Sequence, residues 1–281
     1  VNLSHSELFR SIKSSNPSLY VELSNVVQWK TMLTAMVTTK ASEILFRFEP
    51  EEVVIYASIN SANALVSVWT KDMFTDYQVS NDQGIQFFAV TNKDLKSLLK
   101  KIQKDDVLVM SSCYVGHDTA FHNTIVTVIP DAPPIIYNMP MAFERADEEA
   151  LPDLSILHMG EWNVTLSSKL FTQLIDKVTP AADYVQMSIK PTTLELSAFE
   201  VKEKKSTVHI ETKSNQSFEG YFDDCQLIAI TKCSSLNENL ILKWVPRPGS
   251  ECFIATYDIC TGQMINKQSH LSFIIGLKSL E

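Results

Sequence analysis

Apolar positions along this chain follow two different periods. Over ILFRFEPEEVVIYAS, residues 44–58, and again over VQMSIKPTTLELSAF, residues 185–199, a strand-like segment runs into a proline turn and a second such segment follows. Val53, Ile55 and Ala57 in the first unit, and Leu194, Leu196 and Ala198 in the second, recur at every second residue. That spacing marks half-buried strands, because successive side chains of a strand point to opposite faces. Ahead of each unit the period becomes helical. Trp29, Met32, Leu33, Met36 and Val37 gather on one side of a wheel turning about 100° per residue, opposite Lys30, Thr31, Thr34 and Thr38. Leu170, Phe171, Leu174, Ile175 and Val178 gather likewise, opposite Lys169, Thr172, Gln173 and Asp176.

These segments are a repeat. Pro50 and Pro191 stand at an offset of 141, and the two helices align at an offset of 141 or 142. The first half continues with strands at 64–69 and 85–89, a helix over 92–104, and strands near 106–113 and 121–129. The second continues with a strand at 206–211, a helix at 222–232, and strands near 239–245, 252–259 and 270–277. Two such halves predict two similar α+β domains, 26–130 and 156–281, after an N-terminal extension, 1–25. Between them, 131–155 reads as an interdomain linker. The stretch 130–153 holds five of the eleven prolines together with Glu144, Asp147, Glu148, Glu149 and Asp153. Proline opposes ladder pairing and the acids favour solvent.

Composition removes whole classes of function. The seven glycines are spread along the chain, and even the nearest two, Gly249 and Gly262, are far apart. A phosphate-cradling loop needs them clustered, so a P-loop ATPase or a Rossmann dehydrogenase is excluded. The six histidines are scattered, with neither HExxH nor GxSxG. His117 and Asp118 read as the polar tip of a hairpin rather than half of a catalytic pair. The five cysteines form no CxxC, which speaks for reduced thiols in an intracellular protein and against zinc. The expectation is a protein with no catalytic residue and no cofactor. No apolar run approaches a membrane span and the first residues show no secretory pattern.

Net charge is −9, which disfavours a uniformly basic nucleic-acid binder. The distribution of charge matters more than its sum. On the wheel of NKDLKSLLKKIQK, residues 92–104, Leu95, Leu98, Leu99 and Ile102 fill an arc of about 100°. Lys93, Lys96, Lys100 and Lys104 fill about 80° opposite, with Lys101 just beyond. A solvated face in an acidic protein ordinarily mixes in glutamate. Here Asp94 is the one acid before Asp105, and segregated positive charge points to a polyanion.

In this order, WKTMLTAMV, SANALVSV, NKDLKSLLKKIQKDD, ITKCSSLNENLILKWV and the ending ATYDI…LSFIIGLKSLE resemble segments of the eukaryotic and archaeal sliding clamps, the proliferating cell nuclear antigen type. The resemblance spans about 26–281. It implies two clamp domains with helices on an inner face and antiparallel sheets outside, and an acidic chain that is basic where DNA passes. It further implies a DNA polymerase processivity factor that binds duplex DNA without sequence preference, acts in replication and repair, closes as a homotrimer, and docks polymerase and other clamp-binding proteins. Carried onto this chain, the DNA-facing residues are Lys93, Lys96, Lys100, Lys101 and Lys104, helped by Lys30 and Lys232. The partner pocket is expected at Ile59, Leu151, Phe253 and Leu277. The nucleus or a viral replication compartment is the expected location. Gln173 and Asp176 stand where the family tends to be basic, and the long turn at 260–270 is a further departure. A subunit of a heterotrimeric checkpoint clamp, a non-ring factor of the herpesvirus kind, and an acidic scaffold that never touches DNA are the alternatives.

Overall fold

The computed structural model describes residues 5–14, 17–24, 26–39, 41–59, 63–80, 86–115, 118–127, 135–141, 154–158, 163–200, 203–214, 217–245, 252–259 and 269–277. The chain divides into two compact units. The first takes Val1–Ala57, Ser67–Leu151 and Cys260–Ser269, and the second takes Ser58–Val66, Pro152–Ile259 and His270–Glu281.

In chain order the first half runs α1 (His5–Ser14), β1 (Leu19–Leu23), α2 (Val26–Thr38), β2 (Glu43–Phe48), β3 (Glu52–Ser58), β4 (Ala64–Thr70), β5 (Asp76–Val79), β6 (Gln86–Thr91), α3 (Asn92–Lys101), β7 (Asp106–Val115), β8 (Asp118–Thr127) and β9 (Ile135–Met141). The second runs β10 (Asn163–Ser167), α4 (Ser168–Val178), β11 (Tyr184–Ile189), β12 (Thr193–Glu200), β13 (Glu203–Glu211), β14 (Phe218–Asp223), α5 (Asp224–Thr231), β15 (Asn239–Val245), β16 (Cys252–Asp258) and β17 (His270–Gly276).

The repeat read from the sequence is a repeat of register. Leu45 pairs with Tyr56 across β2 and β3, and at the same offset as the prolines Gln186 pairs with Ser197 across β11 and β12. On its other side Leu45 pairs with Ala89 of β6, as Gln186 pairs with Tyr221 of β14. Strand order repeats too: β4-β3-β2-β6 matches β13-β12-β11-β14, and β1-β7-β8-β9 matches β10-β15-β16-β17. Every strand pair with an assigned register among the described residues is antiparallel. The fold is therefore α+β, built on two similar halves.

Several boundaries differ from those expected. Leu19–Leu23, inside the segment read as an extension, is β1, hydrogen-bonded between β5 and β7. Its LYVEL carries four fully buried apolar side chains on a five-residue strand, so it shows no two-residue alternation to read. Ile135–Met141, inside the expected linker, is β9 at the edge of the same sheet, with Pro140 opposite His122. An edge position is where a strand tolerates proline. His117 lies outside the described residues.

Each unit has an aromatic centre. In the first, Trp29 of α2 meets Trp69 edge-on at 4.9 Å and Phe74 at 5.9 Å between ring centres. In the second, Phe253 of β16 stacks on Phe218 at 5.5 Å and meets Phe222 edge-on at 5.0 Å. The predicted inner faces of α2 and α4 are buried, except that Leu170 is 37% exposed. It sits at the margin of the apolar arc, beyond Leu174.

Candidate nucleic-acid interface

Helix α3 starts at a threonine cap. Thr91 Oγ1 accepts from the Asp94 amide at 3.2 Å and donates to the Asp94 carboxylate at 2.9 Å. One face, Leu95, Leu98 and Leu99, is buried, and so is Ile102 just past the helix. That burial leaves Lys93, Lys96, Lys100 and Lys101 exposed. The helix stops at Lys101, short of its expected end at Lys104. The Asp106 carboxylate accepts from the Gln103 amide at 2.6 Å and closes a turn there. Lys104 is exposed in that turn, so its place is not set by the helical wheel.

Helices α2 and α3 lie side by side, and two polar ties fix them antiparallel. The Asn92 amide group donates to the carbonyls of Val37 and Ala41 at 3.0 and 2.9 Å, joining the start of α3 to the end of α2. The Lys30 ammonium donates to the Ile102 carbonyl at 2.6 Å, joining the start of α2 to the end of α3. A cation there also complements the negative end of the α3 dipole. Lys30 is thus half-buried as a cap, not presented freely beside the other lysines. The sequence does not single out Asn92, because its partners come from tertiary packing.

The other exposed residues of α2 are neutral. Thr31, Thr34 and Thr38 turn their hydroxyls back onto their own helix at 3.0, 2.6 and 2.7 Å. The lysines of α3 therefore dominate the outer surface of this helix pair. The ion pairs among the described residues join Lys13 to Asp76, Arg47 to Glu49, Lys71 to Glu51, Lys204 to Glu195, and Lys205 to Glu200 and Glu203. None engages Lys93, Lys96 or Lys100. Lysines three and four apart on a helix are neighbours about 5–6 Å apart, inside the screening length of physiological salt, so they repel one another until an anion arrives.

In the second unit α4 and α5 also pack against each other, with a different surface. Lys169, Gln173, Asp176 and Lys177 are exposed on α4. On α5 the exposed or half-exposed stripe is Cys225, Ile228 and Ala229, ending at Lys232, its C-terminal cap. The buried side of α5 is locked. The Tyr257 hydroxyl donates to the Ile230 carbonyl at 3.0 Å, and burial pushes the pKa of the Cys233 thiol up to about 12.

Of the residues expected to receive partners, Ile59 is 40% exposed and Leu277 is half-buried. Asn63 brings their segments together. Its carbonyl accepts from the Ile59 amide at 2.9 Å, while its side-chain oxygen accepts from the Gly276 amide at 3.1 Å and from Gln226 at 2.9 Å. Phe253 does not join them. It is fully buried in the aromatic centre and belongs to the core. Leu151 lies outside the described residues. Among the described residues no cluster of His, Cys, Asp and Glu is placed to hold a metal, and no helix is long and apolar enough to cross a membrane.

No family model and no curated protein matches the sequence. The fold, by contrast, matches solved structures. The proliferating cellular nuclear antigen of Entamoeba histolytica superposes with a TM-score of 0.72 at 13% identity, over 94% of this chain and 100% of that one. A PCNA2–PCNA3 complex from Sulfolobus tokodaii superposes with a TM-score of 0.73 at 15% identity, over 92% of this chain and 99% of that one. The fold is that of the PCNA-type sliding clamps, as the sequence resemblance implied.

Proposed function

We propose that this chain is a DNA sliding clamp, a non-enzymatic processivity factor that holds duplex DNA without regard to sequence and tethers polymerases and other replication and repair proteins to it. The observation that carries the reading is the stripe of Lys93, Lys96 and Lys100, exposed together on α3 and engaged in no ion pair among the described residues. Lys101 and Lys104 are proposed as further phosphate contacts. The clamp fold supplies the second support.

The mechanism needs no bond-making. A lysine ammonium is a mobile point charge that meets phosphate without reading a base, so every register along the duplex is equivalent. Each phosphate engaged releases counterions, which makes binding steeply salt-dependent. Closure of the chain into a homotrimeric ring turns weak attraction into long residence by topology. Ile59 and Leu277 are the proposed partner-docking surface. The setting is intracellular DNA replication, in a nucleus or a viral replication compartment.

The test is the Lys96→Glu/Lys100→Glu protein, measured for duplex affinity over a salt series. Exposed charges contribute little to stability, so it is expected to fold and melt like the parent. It is expected to bind every duplex sequence more weakly, with a salt slope flatter by about one unit for each lysine–phosphate pair removed. Unchanged affinity and slope in the folded variant would sink the reading.

A further inference from the structure

The two units carry equivalent helices at equivalent places, so their surfaces can be compared position by position. Strands β6 and β14 begin at an offset of 132, and so do helices α3 and α5. At that spacing Lys93 corresponds to Cys225, Lys96 to Ile228, Ser97 to Ala229 and Lys100 to Lys232. All four positions face outward on α3, and their counterparts are exposed or half-exposed on α5. The duplicated stripe therefore reads lysine, lysine, serine, lysine in the first unit and cysteine, isoleucine, alanine, lysine in the second.

The partner helices do not restore the balance. At an offset of 142, Lys169 of α4 replaces the exposed Val27 of α2, but Asp176 replaces Thr34. Together α2 and α3 hold five lysines and one aspartate. Helices α4 and α5 with the Lys232 cap hold three lysines and two aspartates. Lys169 and Lys232 are separated in sequence from any basic neighbour on their own helix face, and Lys177 adjoins Asp176. Counterion release is favoured by concentrated positive charge, and neither α4 nor α5 carries two lysines three or four positions apart as α3 does.

Building on the proposed clamp function, we infer that each chain holds duplex phosphates through its first unit alone: the α4–α5 surface of the second unit contributes none, and Lys232, which the family resemblance places beside DNA, is set aside as a phosphate contact because no second lysine accompanies it on α5. Phosphate engagement then recurs once per chain rather than once per unit.

Charge neutralisation tests this, because reversal would add long-range repulsion of its own. The Lys169→Gln/Lys177→Gln/Lys232→Gln protein is compared with Lys93→Gln/Lys96→Gln/Lys100→Gln on one duplex across a salt series, with thermal melting of both to establish folding. The second-unit variant is expected to keep the parental affinity and slope. The first-unit variant is expected to show a slope flatter by about one unit for each phosphate-binding lysine replaced. An equal fall in slope in the two variants would overturn the inference while leaving the clamp reading intact. No fall in either would instead overturn the clamp reading, and the inference with it.

Discussion

Gly220 shows how little room the second unit leaves around a single atom. A Cβ at that position would lie 2.6 Å from Phe218 Cζ and 3.0 Å from Leu277 Cδ2. The Phe218 ring has nowhere to go, since it stacks on Phe253 at 5.5 Å and meets Trp244 at 6.0 Å and Phe222 at 6.4 Å. Gly220→Ala is therefore expected to destabilise the protein by roughly 1–3 kcal/mol through overpacking. A lower urea midpoint with unchanged slope would register it, and an unchanged midpoint would show that the aromatic centre yields. The same packing explains why Phe253 is not legible as core. In CFIATYD the first four residues are all buried, so the strand lacks the in–out alternation that separates a core face from a surface. Ile59 and Leu277, which the family resemblance singles out, fall just past the ends of β3 and β17, where apolar residues reach the surface.

At the scale of elements, the helical wheel locates the buried faces of α2, α3 and α4 but not where helices stop. The outward grouping of Lys93, Lys96 and Lys100 follows from 3.6-residue geometry once the leucines are buried. The end of α3 depends instead on the Asp106 turn and on Lys30 arriving from another helix, neither of which has a local signature. Strands β1 and β9 escape for related reasons, one lacking alternation and the other carrying a proline that only an edge accepts. Lys30 is the residue whose role differs most between sequence and structure. As a cap it should contribute to stability: Lys30→Met removes the donor to the Ile102 carbonyl and is expected to cost about 1 kcal/mol. The duplex-binding salt slope should stay at the parental value. A slope lowered by a full unit, with melting unchanged, would make Lys30 a phosphate ligand after all.

For the whole molecule the question of assembly has an electrostatic answer that can be separated from DNA binding. Strands β9 and β13 each end a sheet. Nine residues long, β13 is exposed at all but Val208 and Ile210, which are half-buried. Its first residues are guarded by Lys204 paired to Glu195 at 3.2 Å and Lys205 paired to Glu203 at 3.1 Å, whereas Ser206–Glu211 carries no such pair among the described residues. Exposed edges recruit other strands unless covered, and in the proposed ring head-to-tail pairing between copies of the chain would cover them. Sedimentation is expected to give about three times the 31.7 kDa chain mass at micromolar concentration. Each copy carries a net charge of −9, so added salt screens repulsion between copies and should preserve or favour the assembly. The same salt should release DNA, because the lysine–phosphate pairs are exchanged for counterions. The assembly should therefore hold or strengthen along a salt series over which DNA binding weakens. The Lys96→Glu/Lys100→Glu protein should still sediment as a trimer, since its substitutions lie on α3 and on neither edge strand. A chain that stays monomeric throughout the series would rule out the self-closing ring and leave a single-copy cradle or a ring completed by other subunits.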